Sequence, residues 1–230
     1  MKLHRFYIRD GVGGKTQVVV HLPNFINQTK NVLRLKVGDT IVIFDNSGFD
    51  FKAQIEKYTK DSVTLSIIDK VRNSVGLERE TWLFASIVKK DKFEWIIEKA
   101  TELGVSHIVP LISSRTEKKE INSERLLKIL VEASEQSGRA TIPVLHDVLT
   151  LSSAISKYQD VKAIAWDPAA EKFSRDDLKE VIGTYIGPEG GWTLDELELF
   201  KTNKIVLKSL GPQVLRSETA VVATLSQIVF

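Results

Sequence analysis

Ile186-Gly187-Pro188-Glu189-Gly190-Gly191 puts three glycines and a proline into six residues. The apolar run Gly183-Thr184-Tyr185-Ile186 leads into it, and Trp192-Thr193-Leu194-Asp195-Glu196 follows with the polar opening of a helix. A strand that ends in a Gly-rich turn and opens a helix bares backbone N–H groups at the carboxyl edge of a sheet. That edge is where open α/β sheets bind ligands. A second turn of this kind, Ser209-Leu210-Gly211-Pro212-Gln213-Val214-Leu215-Arg216, again separates a strand from a helix. Two such turns at neighbouring strand ends point to one pocket, although the glycines could also serve tight connections with positive φ. Neither turn carries G-x-G-x-x-G or a Walker lysine, so an ordinary dinucleotide or nucleoside-triphosphate fold is not supported.

Outward from these turns, strands and helices alternate. Strands are expected at 81–88, 105–112, 161–166, 184–186 and 205–207. Between the first two, Phe93, Ile96, Ile97, Ala100 and Leu103 recur at helical spacing behind a capping-box-like Asp91 and Glu94, and Gly104 ends the helix. Asn122 or Ser123 caps a helix through Leu126, Leu127, Leu130 and Ala133 that closes at Gly138. Ser174 with Asp177, and Thr193 with Glu196, open two more. The last segment, 217–230, is apolar nearly all round and must be buried. This alternation implies a mostly parallel sheet covered by helices on both faces.

Residues 1–72 differ. Short runs at 3–8, 16–22, 40–44, 49–58 and 62–68 are rich in Val, Ile, Phe and Thr, with a short helix within 24–35. The runs 49–58 and 62–68 pair as a hairpin, and the whole reads as a small β-barrel. Gly11-Val12-Gly13-Gly14-Lys15-Thr16 resembles the end of a P-loop, but Arg9 stands where the first glycine belongs, and a hairpin turn is expected instead. Residues 71–80 are the expected linker. The chain therefore divides into residues 1–72 and 73–230.

Charge divides the same way. Residues 1–72 hold 12 Lys and Arg against 7 Asp and Glu, while the remainder holds 20 against 23. A basic N-terminal part fits a polyanion partner, and chance scatter of solvated lysines explains it equally well. No cysteine is present, which excludes disulfides, thiolate zinc ligands and thiol nucleophiles. Four scattered histidines carry no metal-binding spacing, and no apolar run reaches a membrane span or a signal peptide. The expectation is a metal-free, soluble, cytoplasmic protein.

Several charged residues invite a site role beside a structural one. Arg216 stands at a helix N-terminus, against the dipole, so an anion is expected beside it, either Glu189 or a substrate phosphate. Ser217 and Glu218 fit a capping role. Arg139, in the last turn of its helix, suits the dipole, and Lys89-Lys90-x-Lys92 reads as an ordinary solvated face. Arg115 lies just past a strand end, on the same edge as the glycine turns. Arg5 beside Phe6 and Tyr7 offers a cation next to stackable rings, although core aromatics are the commoner use of such a strand.

Six motifs occur in order: Arg5-Phe6-Tyr7; Asn31-Val32-Leu33-Arg34-Leu35 with Gly38-Asp39; Lys99-Ala100-Thr101-Glu102-Leu103-Gly104-Val105; Glu135-Gln136-Ser137 with Arg139; Ile186 to Gly191 as quoted; and Leu210-Gly211 with Val214-Leu215-Arg216 and Glu218-Thr219-Ala220. Together they resemble the ribosomal small-subunit methyltransferase E family, over a match running from Arg5 to the chain end. That resemblance implies an N-terminal PUA-like small β-barrel and a C-terminal SPOUT α/β domain, with a trefoil knot over about residues 161–230. It implies S-adenosylmethionine as cofactor, N3 of one uridine in 16S ribosomal RNA of the small subunit as acceptor, and a homodimer formed through the knotted domain.

The resemblance also implies residue roles. Trp166, Gly187, Pro188, Glu189, Gly190, Gly191, Leu210, Gly211, Val214 and Leu215 would line the cofactor pocket. Arg5, Arg216 and Glu218 would be catalytic, with Glu189 as the other candidate base. Arg5, Arg34, Lys90, Arg115 and Arg139 would bind RNA. Gln213 departs from the family, where basic residues are common at this position. Two alternatives remain beside this expectation: a non-catalytic RNA-binding or ribosome-assembly protein, and a ribose 2′-O-methyltransferase.

Overall fold

The computed structural model describes residues 3–75, 79–117, 120–178 and 180–229. By contacts the chain forms two compact units, Met1–Val75 with Ser134–Ile142 and Gly76–Ala133 with Pro143–Phe230. The sequence places a single cut at residue 72/73, whereas the contacts return a short later segment to the N-terminal unit. The middle of the expected linker, residues 76–78, lies outside the described residues, as does residue 230 of the expected terminal helix.

The N-terminal unit is a five-stranded sheet of β1 (Arg5–Tyr7), β2 (Gln17–Val20), β3 (Thr40–Phe44), β4 (Phe49–Tyr58) and β5 (Val63–Arg72), in the order β1-β3-β4-β5-β2. β4 and β5 form the expected hairpin, with register shifts after Lys52 and Ile55. β5 runs through Arg72, so the first residues assigned to the linker belong to a strand. Alternation on β3, β4 and β5 turns Ile41, Ile43, Phe51, Ala53, Ile55, Val63 and Leu65 into one core with Phe6 and Val18. The strands β1 and β2 are the two edges and do not pair with each other, so the expected barrel is a curled half-barrel. For the same reason residues 11–16 do not close a hairpin: the turn from Val12 to Lys15 leads from one edge strand to the opposite one. The expected helix within 24–35 is α1 (Pro23–Asn27) continued by a wider π turn over Gln28–Val32.

The second unit is a parallel sheet of β6 (Trp82–Ser86), β7 (His107–Ile112), β8 (Val144–Leu145), β9 (Leu149–Thr150), β10 (Ala163–Trp166), β11 (Gly183–Ile186) and β12 (Val206–Lys208). Its order is β12-β10-β11-β6-β7-β8, with β9 also on β7, and every pairing is parallel. The connecting helices are α2 (Lys90–Glu102), α3 (Ser123–Ser137), α4 (Leu151–Lys157), α5 (Leu194–Thr202) and α6 (Ser217–Val229). The strands β8 and β9 and the helix α4 are additions to the expected elements. β11 is buried at all four positions, and Leu83, Phe84, Ile108, Val109, Ile164 and Tyr185 fill the interior. After β11 the chain crosses back past β10 to place β12 on its far side. The order of strands thus reverses at β10, and such a switch point opens a crevice at the carboxyl ends.

Local caps explain most helix starts. Thr193 Oγ1 accepts from the Glu196 amide while Glu196 accepts from the Thr193 amide, the capping box expected for α5. Asn122 Oδ1 accepts from the Arg125 amide at the head of α3. α2 starts differently. Its cap is Lys89, with no side-chain hydrogen bond, and Asp91 sits inside the first turn rather than capping it. α6 buries Val221, Leu225 and Ile228 as expected of an apolar end helix, packing on α2 and β11. No helix among the described residues is long and apolar enough to cross a membrane.

Candidate active site

Both glycine turns meet at the carboxyl edge of the parallel sheet, in a cavity of about 370 Å³. The loop after β10 (Trp166 to Ala169), the loop after β11 (Gly187 to Trp192) and the loop after β12 (Ser209 to Leu215) form its walls. All ten residues expected to hold the cofactor line it, joined by Arg115, Ser217 and Ala220. The volume lies within the range of small-molecule sites, and the walls mix an indole, aliphatic side chains and bare glycine backbone. That composition fits a nucleoside with a short charged tail, the shape of S-adenosylmethionine.

The loops are stitched to one another. Trp192 Nε1 donates to the Trp166 carbonyl at 3.0 Å, and Trp166 Nε1 donates to Thr184 Oγ1 at 2.7 Å. Ser217 Oγ, at the head of α6, donates to the Gly187 carbonyl at 2.8 Å. Ser209 Oγ donates to the Gly211 carbonyl at 3.0 Å. Arg115 Nη1 donates to the carbonyls of Gly190 at 2.5 Å and Trp192 at 3.2 Å. Buried Glu196 accepts from the Ser114 amide at 2.8 Å, so the loop after β7 is tied in as well.

Each glycine has its own reason. A Cβ on Gly187 would stand 3.1 Å from the Trp192 ring, and one on Gly190 would stand 3.1 Å from Arg115 Cδ. Gly191 has φ +67°, a left-handed conformation that side chains resist. The expectation that bare backbone is there to admit an adenosine is thus only part of the account, since two glycines are already demanded by protein neighbours.

The charged residues are rearranged relative to expectation. Arg216 is exposed and is not the partner of Glu189. Lys92 is, with Nζ 3.6 Å from Glu189 Oε1 and 3.9 Å from Glu218 Oε1. The lysine assigned to a solvated helix face therefore sits between two carboxylates at the edge of the cavity. Glu218 Oε2 is buried and has no hydrogen-bond partner among the described residues. The sequence signal for Lys92 was its place in the first turn of α2, where a cation opposes the dipole and calls for anionic company.

The remaining expected RNA contacts divide. Lys90 is exposed and faces Glu94 at 3.9 Å, and Arg115, as described, braces the cavity. In the N-terminal unit, Arg34 is exposed and held at φ 55°, a conformation rare outside glycine. Arg5 is already engaged: its Nη1 and Nη2 donate to Asp50 at 2.6 and 2.7 Å, and Nη2 also donates to the Arg139 carbonyl. Asn73 Nδ2 donates to Asp50 and to the Gly138 carbonyl, each at 2.9 Å. Arg139 is buried, and burial pushes its guanidinium down to about 10. Arg5 and Arg139 thus belong to one internal polar corner instead of a free basic surface. Among the described residues no cluster of three or more His, Asp or Glu is placed to hold a metal.

Residues 76–229 match the RNA methyltransferase domain family, and residues 30–68 match the RNA methyltransferase PUA domain family. The ribosomal RNA small subunit methyltransferase E of Rickettsia conorii is 32% identical over 236 residues, covering 99% of this chain and 96% of its own. Among solved structures, a Legionella pneumophila methyltransferase with bound SAM superposes with a TM-score of 0.88 at 27% identity, covering 99% of this chain and 97% of that one. A ribosomal RNA small subunit methyltransferase E from Neisseria gonorrhoeae bound to S-adenosyl methionine gives 0.86 at 28% identity, covering 97% and 95%.

Proposed function

The chain belongs to the ribosomal RNA small subunit methyltransferase E family, and on that premise we propose that it methylates N3 of one uridine in 16S ribosomal RNA, using S-adenosylmethionine. The observation that carries this reading is the convergence of both glycine turns and the Trp166 loop on one cavity. S-adenosylmethionine, held by the Trp166, Gly187–Gly191 and Leu210–Leu215 walls, would supply the sulfonium methyl that N3 accepts.

The rest is work for this chain's residues. The hydrogen bonds between the loops hold the walls in place, which keeps the ordering cost of binding low. Uridine N3 carries a proton that must leave, and Glu218, with one oxygen lacking a donor, is the group we assign to accept it. Glu189 lines the cavity and shares Lys92, a loop-holding role. Arg216, Lys90 and Arg34 are exposed cations suited to RNA phosphates. Arg5 acts through structure, by holding Asp50 and the Arg139 corner. The uridine must be presented unstacked, as for any enzyme working on a base edge.

The dimer, the small-subunit partner and the trefoil knot implied by the family resemblance belong to the same proposal, as does the cytoplasmic location expected from the sequence. Sedimentation of the protein alone and with small subunits checks the first two. Isothermal titration with S-adenosylmethionine tests the enzyme reading against a non-catalytic RNA-binding protein. Saturable one-to-one binding per chain is expected, and no heat at ligand concentrations of about 1 mM would exclude the reading.

A further inference from the structure

Lys92 and Glu218 form a donor beside an acceptor at the edge of the cofactor cavity. The Lys92 ammonium stands 3.6 and 3.9 Å from its two carboxylates, beyond hydrogen-bond length, so its N–H donors are not committed to either. Glu218 presents the opposite need. Its Oε2 is removed from water with no donor among the described residues, which is costly for a charged oxygen. The side chain as a whole keeps 16% of its surface exposed. Both residues flank the cavity walls: Glu218 lies between lining residues Ser217 and Ala220, and Lys92 pairs with lining residue Glu189.

The pairing face of uracil offers the complement. N3–H is a donor, and the carbonyl oxygens on either side of it are acceptors. Cytosine reverses two adjacent groups there, with N3 an acceptor and the 4-amino group a donor. We infer that Lys92 and Glu218 together read the uracil edge and reject cytosine, with Lys92 donating to the uracil 4-carbonyl and Glu218 accepting from N3–H. Cytosine in the same place sets acceptor against acceptor and donor against donor, leaving charged groups unpaired. The pairing also prepares the chemistry. The N3–H bond breaks, its proton passes to the Glu218 carboxylate, and the electron pair stays on N3. The negative charge shared by N3 and the carbonyl oxygens is then met by the Lys92 ammonium.

This inference rests on the uridine-N3 reading above, and its test separates the two. Two forms of 16S RNA are prepared, one with the target uridine and one with cytidine in its place, and binding is measured with S-adenosylhomocysteine present to prevent turnover. The parent is expected to favour uridine RNA by at least about tenfold. In Lys92→Met and Glu218→Gln the preference is expected to fall to about twofold or less, with Lys92→Arg recovering part of it. Cofactor affinity is measured by calorimetry on each variant, and in Glu218→Gln it is expected to stay near the parent value, because that side chain does not line the cavity. Should Lys92→Met lose cofactor binding, the Glu218→Gln ratio decides. A parent-like uridine preference in a cofactor-binding Glu218→Gln protein overturns the inference alone. A parent that binds no cofactor and methylates no uridine overturns the function and the inference with it.

Discussion

Gly187 and Gly190 stand three residues apart in one turn and answer to different neighbours. The Cβ of an alanine at 187 would press on the Trp192 indole, which is held by its hydrogen bond to Trp166 and by edge contact with Phe200. At 190 the nearest collision is with Arg115 Cδ at 3.1 Å, which can swing aside at the cost of its bonds to two carbonyls, leaving a milder contact with Arg115 Cβ at 3.3 Å. Gly187→Ala is therefore expected to weaken S-adenosylmethionine binding about tenfold or more, and Gly190→Ala less, because a rigid ring cannot give way. Calorimetry on the two variants checks the order, and a Gly190→Ala protein that binds more weakly than Gly187→Ala contradicts it. At this scale the sequence displayed the glycines but not their causes. Lys92 was hidden for the same reason: its carboxylate partners come from two other segments, and spacing along α2 shows only a charged first turn.

Among the elements, the strand ends divide by function. The carboxyl ends of β10, β11 and β12 form the cavity, while the amino ends of β6 and β7, with His146 just past β8, carry a chain of polar rings. His107 Nε2 meets Glu80 at 2.5 Å, His107 Nδ1 meets His146 Nε2 at 3.0 Å, and His146 Nδ1 meets the Tyr158 hydroxyl at 3.1 Å. Trp82 stacks on His107 with ring centres 3.9 Å apart. Burial, then the nearby charges of His107 and Lys157, hold His146 below the ordinary histidine value, against a weaker opposite pull from Asp147. The unfolded chain therefore takes up this proton first as the pH falls. Stability from His146 is present above the ordinary histidine value and is lost as pH drops from that value toward the folded one. Urea midpoints at about pH 7.5 and about pH 5.5 should fall further apart in the parent than in His146→Gln, and equal losses would contradict the assignment. Elements with local signals were legible in advance: the Thr193–Glu196 box and the Asn122 cap are written within one helical turn. β8 and β9 are two residues each and α4 is seven, too short to show a period, so they emerge only from pairing with β7.

For the whole molecule, the parallel sheet was readable from the alternation of apolar runs and capped helices. The strand order was not, because the crossing from β11 past β10 to β12 leaves no mark on periodicity. The return of Ser134–Ile142 to the N-terminal unit was equally invisible. It depends on Asn73 and Arg5, both bonded to Asp50, meeting the Gly138–Arg139 backbone across long stretches of chain. The cavity was legible because its glycine turns are contiguous in sequence, while the donor–acceptor pair beside it was not. The proposed function joins that cavity to one atom of one base. Mass spectrometry of nucleosides from 16S RNA incubated with the purified protein and methyl-labelled S-adenosylmethionine tests this directly. Label is expected in 3-methyluridine alone, at one position; label on a ribose 2′-oxygen, on cytidine, or nowhere would overturn the assignment.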